Sequence, residues 1–110
     1  MNKKIGGNIT ATIKTKKQTN NAIGEKVTEW VDYKTLTGFL DFMAETTGRT
    51  NYNSKIVEST HVFVCDYEEI DKPITDLKFY CNNQEFDITY IDDPMNLHYQ
   101  LEIFLKYVGD

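Results

Sequence analysis

Apolar and polar residues alternate along much of this chain, and the alternation stops and restarts at turn-forming residues. Residues 9–14, Ile-Thr-Ala-Thr-Ile-Lys, have the period of two and the β-branched bias of a half-buried strand. Asn20, Asn21 and Gly24 mark a turn. Residues 27–33, with Trp30, then predict a second strand, and residues 36–43, with Leu36, Phe39, Leu40 and Phe42, a third. Residues 61–65, His-Val-Phe-Val-Cys, are apolar on both faces, as a strand crossing a barrel or sandwich core would be. Residues 77–81 begin another strand. Asn82 and Asn83 accept positive φ, so residues 85–91 return as its hairpin partner. Asp92, Asp93 and Pro94 form a further turn, and residues 98–107 set Tyr99, Leu101, Ile103 and Leu105 on one face against Gln100, Glu102, Phe104 and Lys106 on the other. Short strands at regular spacing predict an all-β fold, a small antiparallel β-barrel that is closed or nearly so.

One interruption is out of proportion. Residues 44–57 are polar and separate two strand patterns, whereas hairpin loops take two to five residues and unstructured connections beyond about 12 are uncommon unless they do a job. The segment has Gly48, Arg49, Asn51, Tyr52 and Asn53 and no acid after Glu45. That composition suits a loop that projects and touches something more than one that does chemistry. Its threonines, asparagines and Gly48 limit any helix over residues 44–55 to a short one. A disordered insertion is the alternative.

At 110 residues the chain predicts one domain spanning residues 1–110, with one modest core. No apolar run approaches the roughly 20 residues of a membrane-spanning helix. The N-terminus has two lysines but no apolar stretch after them, so a cytoplasmic product is expected. The net charge of −5 is unevenly spread. Lys3, Lys4, Lys14, Lys16 and Lys17 precede the first acid, Glu25, which leaves 7 bases against all 17 acids, a balance of 7 − 17 = −10, in the remainder. Residues 1–8 read as a flexible basic arm. The asymmetry suggests that unlike ends of neighbouring subunits attract, or that basic residues meet an acidic partner, with Lys3, Lys4, Lys16 and Lys17 the candidate docking residues. A lysine-protected edge strand explains it equally well.

Candidate chemistry is sparse. Cys65 and Cys81 alternate with Phe63 and Phe79, which points the thiols into an apolar face as buried, reduced side chains; a cross-strand disulfide would need an oxidising compartment. With His61 and His98 they make a numerical Cys2His2 set. Paired close spacings are absent, and four residues along a strand span about 13 Å, so no metal site is assigned. Asp66, Glu68, Glu69 and Asp71 lack the glycine and spacing of a calcium loop and read as a solvated acidic turn. No nucleophile elbow, phosphate-cradling glycine loop or His-Glu-x-x-His motif is present, so no catalytic residue and no cofactor is assigned. An oligonucleotide-binding barrel would need a positive groove with exposed rings, which the acidic body argues against.

Taken in order, the strands around Trp30-Val31-Asp32, the long loop, the acidic turn, the Asn-Gln-Glu-Phe-Asp-Ile hairpin, Asp-Asp-Pro and the terminal Leu-Lys-Tyr-Val-Gly resemble a known group. These features, over about residues 8–110, are similar to the head-completion or stopper proteins of tailed bacteriophages. The resemblance implies a non-enzymatic subunit of a homo-oligomeric ring, below the portal and adaptor and above a tail-completion protein, found in the host cytoplasm during assembly and then in the virion. It also implies that the long loop closes the channel on packaged double-stranded DNA, touched without sequence preference, until the tail attaches. The matching loop is residues 44–57, with Thr47, Gly48, Arg49, Thr50, Asn51, Tyr52 and Asn53 at its tip. No membrane contact is implied. Another connector subunit (an adaptor or tail terminator) and a small nucleic-acid-binding barrel are the alternatives.

Overall fold

The computed structural model describes residues 4–43 and 58–109. Six strands, β1 (Ile9–Asn20), β2 (Lys26–Phe42), β3 (His61–Asp66), β4 (Leu77–Cys81), β5 (Gln84–Asp92) and β6 (Gln100–Gly109), carry the fold. They close into an antiparallel barrel in the order β1-β2-β3-β6-β5-β4. Closure gives each strand two neighbours in the wall and removes the open edges that a flat sheet would present.

Alternation places one side chain in two inside. Ile13, Phe63, Phe79, Phe86, Ile103 and Leu105 are fully buried. Phe79 lies at the centre of three edge-to-face rings, 5.1 Å from Phe63 and 6.0 Å from Phe86 between centroids. Each such phenylalanine contributes about 1.5–3 kcal/mol through burial alone. Cys65 and Cys81 are free and buried among them, as their alternation with phenylalanine predicts. Burial, with Asp66 and Glu68 adding their charge, pushes the Cys65 thiol up to about 12. Burial also raises Cys81. Both groups are therefore small apolar side chains at neutral pH.

The second and third expected strands are one. β2 runs unbroken for 17 residues. The pattern suggested a break because its phase changes: Trp30 and Asp32 face outward, yet Leu36 and Gly38 face inward. A β-bulge makes the change instead of a turn. Ile13 pairs with Lys34 and Lys14 with Asp32, so Tyr33 is the extra residue and the alternation flips without ending the strand. A second bulge leaves Thr89 unpaired between the pairs Ile88–Leu105 and Tyr90–Phe104. At the β4–β5 turn, Asn82 and Asn83 have φ of 55° and 61°, the conformation expected for those residues in a two-residue hairpin.

Residues 5–8, at the end of the segment expected to be an arm, lie against the barrel. The amides of Ile5 and Gly6 donate to the Asp66 carboxylate at 2.8 and 3.1 Å, and Asn8 N–H donates to the Gly38 carbonyl at 3.0 Å. The crossing needs glycine on both sides. A Cβ on Gly7 would stand 2.3 Å from Gly38 N, and one on Gly38 would stand 2.3 Å from the Val64 carbonyl oxygen.

Candidate functional site

The expected channel-closing residues, Thr47, Gly48, Arg49, Thr50, Asn51, Tyr52 and Asn53, lie outside the described residues. Their two points of attachment are described, and they are adjacent. Phe42 pairs with His61 across β2 and β3, and Met43 N–H donates to the Thr60 carbonyl at 2.8 Å. The chain therefore leaves and re-enters the barrel at one place, beside the end of β3 opposite Asp66.

That place is firmly built. Thr60 N–H donates to the Leu105 carbonyl at 2.8 Å, and the Thr60 hydroxyl accepts from Tyr107 N–H at 2.8 Å. The buried Ser59 and Thr89 hydroxyls share a hydrogen bond of 2.6 Å, and Thr89 Oγ1 donates to the Phe104 carbonyl at 3.0 Å. The β5 bulge is what frees Thr89 for this contact. His61 sits edge-on between Phe42, at 5.4 Å, and Phe86, at 5.0 Å. Burial lowers its pKa, which favours the neutral ring. Such hydrogen bonds fix both attachment points to the barrel wall.

The acidic connection, residues 66–73, leaves the other end of β3. It is tied to β2 by a hydrogen bond from the Tyr33 hydroxyl to the Asp71 carboxylate, by Asp71 N–H donating to Tyr33 Oη at 3.0 Å, and by a Lys34–Glu68 ion pair at 3.6 Å. The hydrogen bond from Tyr33 holds the Asp71 carboxyl below its ordinary pKa, while burial and the Asp71 contact raise that of Tyr33. Asp66 accepts the N-terminal amides. These acids thus act as fasteners. Asp93 likewise serves the next connection, accepting from His98 N–H at 3.0 Å and pairing with the His98 ring. Among the described residues, no three His, Cys, Asp or Glu side chains gather where they could hold a metal ion.

The candidate docking lysines do not form one cluster. Lys3 lies outside the described residues. Lys4 is exposed and lines a small hollow with Thr35, Thr37, Asp66 and Glu68. Lys16 and Lys17 are exposed on the far half of β1. Lys16 instead belongs to an arrangement that sequence spacing did not reveal. Its Nζ stands 5.7 Å from the centre of the Trp30 ring, and Lys78 Nζ stands 4.8 Å from the same ring. Lys14 caps Tyr80 at 5.2 Å in the same way. A groove of about 440 Å³ opens beside these residues, with Ile74, Leu77 and Ile88 in its wall and Lys106, Glu58 and Asp87 also lining it; Lys78 pairs with Glu85 at 3.2 Å. Register across three strands makes this group, and no linear motif could have marked it.

The geometry thus defines a class: a small closed β-barrel that holds an inter-strand segment at one site and presents a tryptophan-lined groove at another. The family model for the phage head completion protein matches residues 8–107, and the chain belongs to that family. Protein SF1141 from Shigella flexneri 2a, known from its solution structure, has the same fold. It is 19% identical, with a TM-score of 0.71 and 93% of each chain covered. A chain in the virion of a native gene transfer agent particle is similar at 12% identity and a TM-score of 0.54, over 94% of this chain and 96% of that one. No curated protein sequence matches the chain.

Proposed function

We propose that the protein is a non-enzymatic stopper subunit of a head–tail connector, one copy in a homo-oligomeric ring below the portal and adaptor and above the tail-completion protein. Residues 44–57 close the channel on packaged double-stranded DNA until the tail docks. The observation that carries this reading is the anchored pair of attachment points, Met43 to Thr60, on a barrel of the head completion family. A polar segment of 14 residues, no one copy of which could close a channel, becomes effective when several copies meet around an axis, because symmetry multiplies weak contacts. An acidic body also adheres little to the DNA that must later pass.

The test is deletion of residues 47–54 in the parent phage, with electron microscopy of the particles. Folded protein, with heads that package and then lose their DNA, is the expected result. Full heads that retain DNA would remove the channel-closing role of the segment. Normal joined virions after deletion of the whole gene would remove the connector role itself.

A further inference from the structure

β1 has β4 beside it only as far as Thr15, and β2 has β3 beside it only from Gly38 onward. Residues 16–20 and 26–30 consequently pair only with each other, in a two-stranded ribbon. Five residue pairs carry it about 16 Å beyond the wall. The molecule is accordingly long, 53 Å against 35 and 26 Å. A two-stranded ribbon is marginally stable in water, and both its edges offer unpaired backbone groups. Its turn is well made all the same. Asn21 Oδ1 accepts from Ile23 N–H at 3.1 Å and Glu25 N–H at 3.0 Å, and Gly24 takes a φ of +84°.

One face of the ribbon and the acidic connection differ in charge. Register places Lys16 of β1 and Lys26 and Trp30 of β2 on one ribbon face, which runs into the groove that Lys78 shares. On the β2 edge, Tyr33 and Lys34 hold the acidic connection, in which Glu68, Glu69 and Asp71 are exposed. One copy therefore shows a cationic ribbon face with a tryptophan, leading into a groove of mixed charge, and a separate anionic strip. Surfaces that are complementary but distinct on one subunit make head-to-tail contacts, which close into rings when the rotation permits.

We propose that the groove formed by Lys16, Trp30 and Lys78, with the ribbon face that continues it, receives the acidic connection of a second copy, residues 66–71. The proposal rests on the ring reading above and supplies its subunit contact. Tryptophan flanked by lysines suits the centre of such an interface, and the lysines add steering toward the acids.

Two variants isolate one contact. Lys16→Glu/Lys26→Glu/Trp30→Phe destroys the groove and keeps the acidic connection; Glu68→Lys/Glu69→Lys does the reverse. Each alone should sediment as a monomer. Mixed at equal concentration in low salt they should form a 1:1 dimer that cannot extend, and 0.5 M salt should dissolve it. Trp30 is the chain's single tryptophan, so in the mixture its fluorescence reports only the intact groove and should change on mixing. Circular dichroism establishes that both variants are folded; Lys16→Gln/Lys26→Gln replaces the charge reversal if it does not fold. A mixture that stays monomeric at several hundred micromolar in low salt, with Trp30 fluorescence unchanged, overturns the contact. Rescue of a gene-deleted phage by the wild-type chain separates the two ideas: joined virions with a monomeric mixture would reject this contact and retain the connector role.

Discussion

β1 and β2 each live in two environments, and the contrast shows what holds this fold together. From Ala11 to Thr15, β1 pairs on both sides and buries Ala11, Ile13 and Thr15. From Lys16 to Asn20 the same strand pairs on one side and buries nothing. The alternation of side chains and the antiparallel ladder are alike in both halves. What differs is the second neighbour and the apolar interior, and those supply most of the stability of a barrel wall. The projecting half holds together through its Asn21 turn and through lysines laid over Trp30.

Substitutions graded along this contrast would test it. The largest loss should come from the wall: Phe79→Ala leaves a cavity among Phe63, Phe86 and their neighbours and should cost about 3–5 kcal/mol in chemical denaturation. A loss below about 1 kcal/mol would mean that the interior is not packed as described. Next is Gly38, where β2 is pressed between the N-terminal segment and β3. The added methyl of Gly38→Ala has the Val64 carbonyl oxygen, Cys65 and Phe63 within 2.9 Å, so a loss of about 1–3 kcal/mol is expected.

The boundary between the two environments offers a gain. Thr15, the last residue of β1 with β4 beside it, buries a hydroxyl that has no hydrogen-bond partner. Thr15→Val removes the orphan while keeping the shape and should stabilise by about 1 kcal/mol, read as a raised denaturation midpoint. Loss of stability there would point to a partner for the hydroxyl. The smallest effect belongs to the ribbon tip. Ile23 is 79% exposed, and Ile23→Ser should shift stability by less than about 0.5 kcal/mol, visible only as an unchanged melting curve.

Much of the barrel was legible because β-patterning is local. The interior faces of β3, β4 and β6 follow from alternation in Phe63-x-Cys65, Phe79-x-Cys81 and Leu101-x-Ile103-x-Leu105, and the β4–β5 turn follows from two adjacent asparagines. Reading β2 as two strands shows where that logic stops. A bulge and a turn leave the same trace in a one-dimensional pattern, a change of phase, and only the partner strand decides between them. The basic residues teach a similar lesson. Counted along the chain they formed one N-terminal group, yet folding sends Lys4 to the neighbourhood of Asp66 and Lys16 to Trp30 and Lys78.

By itself, then, the sequence determined an all-β domain, the side chains that fill it, two buried thiols, an acidic body and one inter-strand segment too long to be a simple hairpin loop. These depend on the identity of a residue and its near neighbours. The tertiary structure alone decided that the wall closes with β1 beside β4, that Met43 and Thr60 meet, and that Lys78 joins Lys16 over one tryptophan. Those contacts join residues as far as 81 − 11 = 70 positions apart, as in Ala11 and Cys81. Their geometry is set by shear and register around the whole barrel, quantities to which every strand contributes and which no single segment encodes.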